Sequence, residues 1–291
     1  MNPRRGRANG TTLQKHLDWL NEAREADVDP GFPGRMLALC SLPSTGRGKR
    51  PHSARTNGSF TWAMSAVGNT RFHCGNLRRL LLAWVCTEPV RTDRRVLVLR
   101  KGFRSFMARP GIHSDGGDPH RRLRNQMERL FSSATKSLHY RGNHESVRPA
   151  GVIGDKAVFS GDYDRLIPSE IRLSQPIFDS TVRQPVPVGL TCLHALRQST
   201  LEFDLCLWFT CRTISATDPL ALSRAQAYTS MASSLRRPAR ISPSGTFVKK
   251  CLGELRKIML DWAELNYSTE LWRLILRPTP PQIPNERGPD T

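Results

Sequence analysis

The chain is short of acidic residues, with 25 Asp and Glu against 44 Lys and Arg, which leaves a formal charge of +19 over 291 residues. A surface this positive repels itself unless it meets a polyanion, and nucleic acid is the common one. The cations are mostly Arg, which favours planar, bidentate contacts over diffuse point charges. No run of about 18 apolar residues occurs, so no segment is expected to span a bilayer. The basic start, Met1-Asn2-Pro3-Arg4-Arg5-Gly6-Arg7, lacks the apolar stretch of a secretory signal behind it. No Cys-x-x-Cys is present, and the seven cysteines (40, 74, 86, 192, 206, 211 and 251) are scattered. That pattern argues for reduced, mostly buried thiols in a cytoplasmic protein, with no metal site and no cofactor. Also missing are a Gly-x-x-x-x-Gly-Lys-Ser/Thr phosphate loop and the His-x-His pair of rolling-circle nickases. Nothing therefore points to ATP hydrolysis or strand nicking, and the chain reads as a non-enzyme.

What the chain does contain is a cationic helix. Gly116-Gly117 breaks the backbone, Asp118 suits an N-cap and Pro119 suits the first helical position. At about 100° per residue, Leu123, Met127, Leu130, Phe131 and Ala134 form one apolar stripe. The opposite face carries Arg121, Arg122, Asn125, Glu128, Arg129 and Ser132. One side suits a core, and the other offers the guanidinium and amide groups that read phosphates and base edges in a major groove. An ordinary amphipathic surface helix would look the same in isolation, so the surrounding pattern matters.

Residues 1–68 read as a basic, poorly ordered N-terminal arm, with one short helix around Leu13, Leu17, Trp19 and Leu20. Beyond it, Leu77, Leu80, Leu81, Trp84 and Val85 have helical spacing that Pro89 should end. Arg95 to Arg100 reads as a strand, Phe103 to Met107 as a short helix, then the 119–134 helix, then a strand over Ser137 to Arg141. Residues 142–167 read as a Gly- and charge-rich loop or wing tip, and Ile171-Arg172-Leu173 as a returning strand. Helix, strand, helix, turn, helix, strand is the order of a winged helix.

A second unit follows Pro185-Val186-Pro187-Val188, an extended linker or edge strand. Leu201 to Ile214 is apolar on nearly every side, the mark of a buried helix. Asp218-Pro219 should start a weaker helix, and 233–245 a basic loop. Thr246 to Trp262 is again amphipathic, with Lys249, Lys250, Arg256 and Lys257 around its outer side, and Leu271 to Leu276 closes the unit as a strand. The expected architecture is α+β and mainly helical: two winged-helix, helix-turn-helix domains in tandem, at 69–180 and 181–284, with a tail at 285–291. Arg121, Arg122, Asn125 and Arg129 would read one groove segment, and Lys249, Lys250, Arg256 and Lys257 an adjacent one.

Several segments resemble the plasmid-encoded RepA-type replication initiators. They are Gly75-x-x-Arg78-Arg79-Leu80-Leu81-Leu82-Ala83-Trp84-Val85, the Arg122-Leu123-Arg124-Asn125-Gln126-Met127-Glu128-Arg129-Leu130-Phe131 block, Ile171-Arg172-Leu173-Ser174, Leu201-x-x-Asp204-Leu205-x-Leu207-Trp208-Phe209-Thr210-x-Arg212, and Leu274-Ile275-Leu276-Arg277-Pro278. The resemblance implies a bacterial, DNA-associated protein that binds repeated duplex sites at a plasmid origin and opens it. Its implied partners are the host helicase, the helicase loader or the host initiator, with a homodimer as a further form. Two other readings compete. A winged-helix repressor would use the same groups on an inverted repeat. A tyrosine recombinase would use His194-x-x-Arg197 with Tyr228, against the plainer reading of a surface His and Arg at a helix start.

Overall fold

Helix Thr200–Ile214 has almost no polar face, and the chain encloses it: Phe203, Leu205, Cys206, Leu207, Phe209 and Cys211 are all buried. The computed structural model describes residues 30–40, 42, 52–57, 60–66, 76–98, 119–131, 133–141, 144–158, 170–183, 185–214, 216–223, 266–268 and 273–277. The sequence expectations for Leu13 to Leu20, 99–118 and 224–265 lie outside these residues.

In chain order the strands are β1 (Pro30–Gly31), β2 (His52–Asn57), β3 (Phe60–Ala66), β4 (Val96–Val98), β5 (Ser133–Arg141), β6 (His144–Val152), β7 (Gly154–Val158), β8 (Glu170–Leu173), β9 (Val188–Gly189), β10 (Leu220–Ser223), β11 (Asn266–Ser268) and β12 (Arg273–Leu276). The helices are α1 (Arg35–Leu39), α2 (Asn76–Thr92), α3 (Pro119–Phe131), α4 (Gln175–Arg183), α5 (Leu190–Ala195) and α6 (Thr200–Ile214), with a 3-10 turn at Leu196–Gln198. All the described pairings are antiparallel, in sheets ordered β2-β3-β5-β6, β4-β8-β7, β10-β12-β11 and β1-β9. The class is α+β, helices with small antiparallel sheets. Among the described residues strand claims nearly as much of the chain as helix.

Much of the supposed arm is built into the core. Leu37, Ala38, Leu39, Cys40 and Leu42 are buried, and α1 packs along α6. β1 pairs with β9, Pro30 opposite Gly189 and Gly31 opposite Val188. A Cβ on Gly31 would stand 3.1 Å from the Val188 carbonyl oxygen and 2.5 Å from Leu190 Cδ2, so the missing side chain permits this approach. Phe60, Trp62 and Met64 of β3 point inward while Thr61, Ala63 and Ser65 point outward, the period-2 pattern of a half-buried strand. The turn-forming and basic residues between these short apolar groups hid them from a composition-based reading.

Helix α2 runs through Pro89 to Thr92. Proline forfeits one intrahelical bond, but Val90 beyond it is buried, and burial outweighs that loss. The helix stops at Asp93, whose φ of 53° is left-handed and whose N–H bonds the Pro89 carbonyl at 2.9 Å. The expected loop at 142–167 contains β6 and β7 instead. Pro149 is accommodated because β6 is the last strand of its sheet and its register with β5 shifts beside Lys136. The expected helix after Pro219 is likewise a strand, β10, held by pairing with β12. One apolar cluster joins residues on both sides of the expected boundary at 180, from Trp84 and Leu130 to Val188, Phe203 and Leu276.

Candidate nucleic-acid interface

Helix α3 stands on helix α2 with Met127, Leu130 and Phe131 buried and Asn125 and Glu128 exposed. The inward set is the apolar stripe, so burial fixes which way the rest of the helix turns. Arg129 is half-buried, and Arg121 and Arg122 lie in the first turns of the helical backbone. Lys249, Lys250, Arg256 and Lys257 lie outside the described residues, so of the expected reading groups only the Asn125 and Arg129 side chains are described, the first exposed and the second half-buried.

The helix passes directly into a hairpin. Ser133 begins β5, and β5 and β6 pair from Ala134–Val152 to Arg141–His144. A buried relay holds this junction. The Ser133 hydroxyl donates to the Arg129 carbonyl oxygen at 2.6 Å, and Arg78 Nη2 donates to the same hydroxyl at 3.0 Å. Arg78 and Ser133 are both buried, so these bonds form away from competing water. The Ser133 carbonyl oxygen accepts from the Ile153 N–H, and the Ile153 carbonyl from the Ser174 N–H, at 3.1 Å each. The end of the basic helix is thus tied to α2 and to both neighbouring sheets.

Neither Arg78 nor Ser133 was singled out from sequence as a site residue. A signal existed: Arg78-Arg79 sits within a Leu-rich helical run, and a cation there needs a buried partner. For Arg79 that partner is Asp204, reached by Nε and Nη2 at 2.7 Å each, with Nη2 also donating to the Leu42 carbonyl oxygen.

His194, expected at the surface, is fully buried. Arg197 Nη1 donates to the His194 carbonyl oxygen at 3.0 Å, and burial lowers the Arg197 pKa. The two side chains thus fail to converge on an open surface as a phosphate-holding pair would. Tyr228 lies outside the described residues. Cys40, Cys86, Cys206 and Cys211 are buried free thiols, and Cys192 is half-buried with its sulfur 3.9 Å from that of Cys206. Among the described residues no cluster of three His, Cys, Asp or Glu could hold a metal, and no helix is long and apolar enough to cross a membrane.

No protein-family model matches the chain, and no curated protein matches it. Among solved structures it is similar to a crystal structure of domains 2 and 3 of RctB, with a TM-score of 0.52 and 11% identity over 83% of this chain and 97% of that one. A second crystal structure of RctB domains 2–3 matches with a TM-score of 0.46 and 12% identity, over 76% of this chain and 82% of that one. At these identities the likeness is one of fold, and the first of the two carries it.

Proposed function

We propose that this chain is a sequence-specific duplex-DNA-binding replication initiator, acting by binding rather than by catalysis. The observation that carries the reading is α3: a basic helix with its apolar stripe buried, Asn125 turned outward, and a β-hairpin directly behind it. That is the sequence of parts by which a winged helix sets a reading helix in the major groove and braces it with a wing. The net charge of +19 supplies the sequence-independent attraction to phosphate. The fold likeness to domains 2 and 3 of RctB, a replication initiator, supports the initiator class.

In this proposal Arg121, Arg122, Asn125 and Arg129 read one groove segment. Lys249, Lys250, Arg256 and Lys257 serve a second winged helix on an adjacent segment. The targets are repeated sites at a plasmid origin in the bacterial cytoplasm, where binding promotes strand opening and recruits host helicase, loader or initiator. A homodimer would serve self-repression.

Footprinting the purified full chain on its own replicon tests this. Protection of direct repeats beside an A·T-rich segment, with permanganate reactivity appearing in that segment, is the expected result. Protection confined to one inverted repeat at a promoter would assign the chain to repression instead. Equal binding to scrambled duplexes would remove the sequence-specific reading altogether.

A further inference from the structure

Away from helix α3, two cysteines face each other across the turn that joins α5 to α6. The sulfurs of Cys192 and Cys206 lie 3.9 Å apart, close enough for one thiol to donate to the other. Among the described cysteines no other two sulfurs meet in this way. Cys40 donates towards the Arg55 and Phe60 carbonyl oxygens, and Cys86 accepts from the Thr181 hydroxyl. Cys211 stands about 140° round α6 from Cys206, on the side nearer Arg35 and Arg212.

The connection between the two helices builds this contact. Leu196–Gln198 is a single 3-10 turn, and the Ser199 N–H closes on the Leu196 carbonyl oxygen at 3.0 Å. Ser199 then starts α6: its hydroxyl accepts from the Glu202 N–H at 3.3 Å and its carbonyl oxygen from the Phe203 N–H at 3.1 Å. Asp204, two residues before Cys206, is held by Arg79. On the other side, α5 follows β9 directly, and β9 pairs with β1. Cys206 is fully buried and Cys192 half-buried. Cys192 therefore meets reagents from solvent, whereas Cys206 meets Cys192. The hydrogen bond with Cys192, ahead of burial, pushes the Cys206 thiol up, which keeps it protonated until its neighbour reacts. Bonded sulfurs stand about 2.0 Å apart, so rotation of the two side chains with a small shift of α5 has roughly 2 Å to close.

We propose that Cys192 and Cys206 form a redox modification site, a dithiol that hydrogen peroxide converts into a reversible disulfide. In the first step the Cys192 sulfur attacks the peroxide. An S–O bond forms, the O–O bond breaks, and the thiol proton leaves with the departing oxygen as water. In the second step the Cys206 sulfur attacks the Cys192 sulfur. The S–S bond forms, the S–O bond breaks, and the departing hydroxide takes the Cys206 proton as water. Two thiols give up two electrons, and the peroxide accepts them. The bond shields Cys192 from further oxidation and staples α5, with the β1–β9 pair behind it, to the central helix. Neither step depends on the chain binding DNA.

The test uses the full chain, dilute and natively folded, exposed to a small excess of hydrogen peroxide. It is then unfolded, its remaining thiols are alkylated, and it is digested with trypsin without reductant. Cleavage after Arg183, Arg197 and Arg212 puts the two cysteines on separate peptides, 184–197 and 198–212. The expected product joins these peptides within one chain, two hydrogens lighter than their sum, and dithiothreitol separates them. Fragmentation of the linked pair places the bond on Cys206 and leaves Cys211 alkylated. In Cys192→Ala the link is absent and Cys206 is recovered alkylated. Cys192 recovered as sulfinic acid beside an alkylated Cys206, or linked to any other cysteine, overturns the proposal.

Thermal unfolding reads the staple. The two residues are 14 positions apart, and closing a loop of that length should raise the Tm of the oxidised chain by about 3–8 °C over the reduced one. Cys192→Ala should show no such rise under the same treatment. A Tm of the linked chain at or below that of the reduced chain would mean that the bond forms only by distorting the two helices, and would end the assignment of this site to the native fold.

Discussion

Arg79 and Asp204, 125 positions apart, form a two-pronged ion pair at 2.7 Å and 2.7 Å in the middle of the apolar core. The pair joins α2, on which the basic helix stands, to α6, around which the rest packs. Both side chains are removed from water, so their mutual attraction has to offset two desolvation costs. The Leu42 carbonyl oxygen takes a further share of the guanidinium protons.

Removing one partner leaves an uncompensated buried charge. Asp204→Ala and Arg79→Ala should each destabilise the fold by about 3–5 kcal/mol. The double change Arg79→Met with Asp204→Leu should recover most of that loss, because an apolar pair of similar bulk needs no solvation. Urea unfolding of all three variants checks this; a double variant as unstable as either single one would show that the pair contributes more than charge compensation.

On the proposed reading face, Asn125→Ala, Arg122→Ala and Arg129→Ala should narrow the gap between specific and scrambled duplexes by about 1–3 kcal/mol each. Exposed Arg172 lies on β8 instead, and Arg172→Ala should leave the gap unchanged. Competition binding at fixed salt reads the difference. If every substitution weakens both duplexes equally, α3 is a phosphate-contacting helix and not the one that reads bases.

Ser133→Ala removes the hydroxyl that links Arg78 to the last turn of α3 and takes one acceptor away from a buried guanidinium. A loss of about 1–3 kcal/mol in stability is expected. Sequence discrimination should also fall at temperatures well below unfolding, because the end of the helix is no longer fixed. Ser133→Thr, which keeps the hydroxyl, should restore discrimination before it restores full stability. A variant with normal discrimination would confine Ser133 to a packing role.

Burial pushes the Cys40 thiol up from 9.0 to about 12, against smaller opposing effects from the Trp62 backbone, Arg55 and Arg212. The folded protein therefore keeps a proton that the unfolded chain releases near pH 9. Stability from this group is intact below about pH 9 and declines as pH rises from there towards 12, since the unfolded state binds fewer protons. Cys40→Ala should flatten that decline and cost stability at neutral pH through the space it leaves. Chemical unfolding between pH 7 and 10.5 checks both signs.

The same burial separates the thiols kinetically. Cys192 is half-buried whereas Cys40, Cys86, Cys206 and Cys211 are not accessible, and burial raises the pKa of each of these four. For Cys206 the hydrogen bond with the neighbouring Cys192 thiol raises it most, ahead of burial. Among these five, Cys192 should be alkylated first by iodoacetamide under native conditions, at least about tenfold ahead of the rest. Peptide mapping after timed quenching measures the order.

The residues alone determined those features whose causes are local. Met127, Leu130 and Phe131 recur at helical spacing, and the inward face of α3 is the one they occupy. The unbroken apolar run around Phe203 to Cys211 admits only a buried helix. The strands at 96–98, 170–173 and 273–276 are short Val, Ile and Leu runs, readable in place. What tertiary structure decided has its causes in pairing and burial between segments. Leu37 to Leu42 join the core because α6 offers them a surface, and β10 exists through its pairing with the distant β12, while β6 pairs with β5 across a short turn and β7 with the following β8. Pairing energy and burial overrode the glycines, prolines and charges that made those stretches look like an arm, a loop or a helix start.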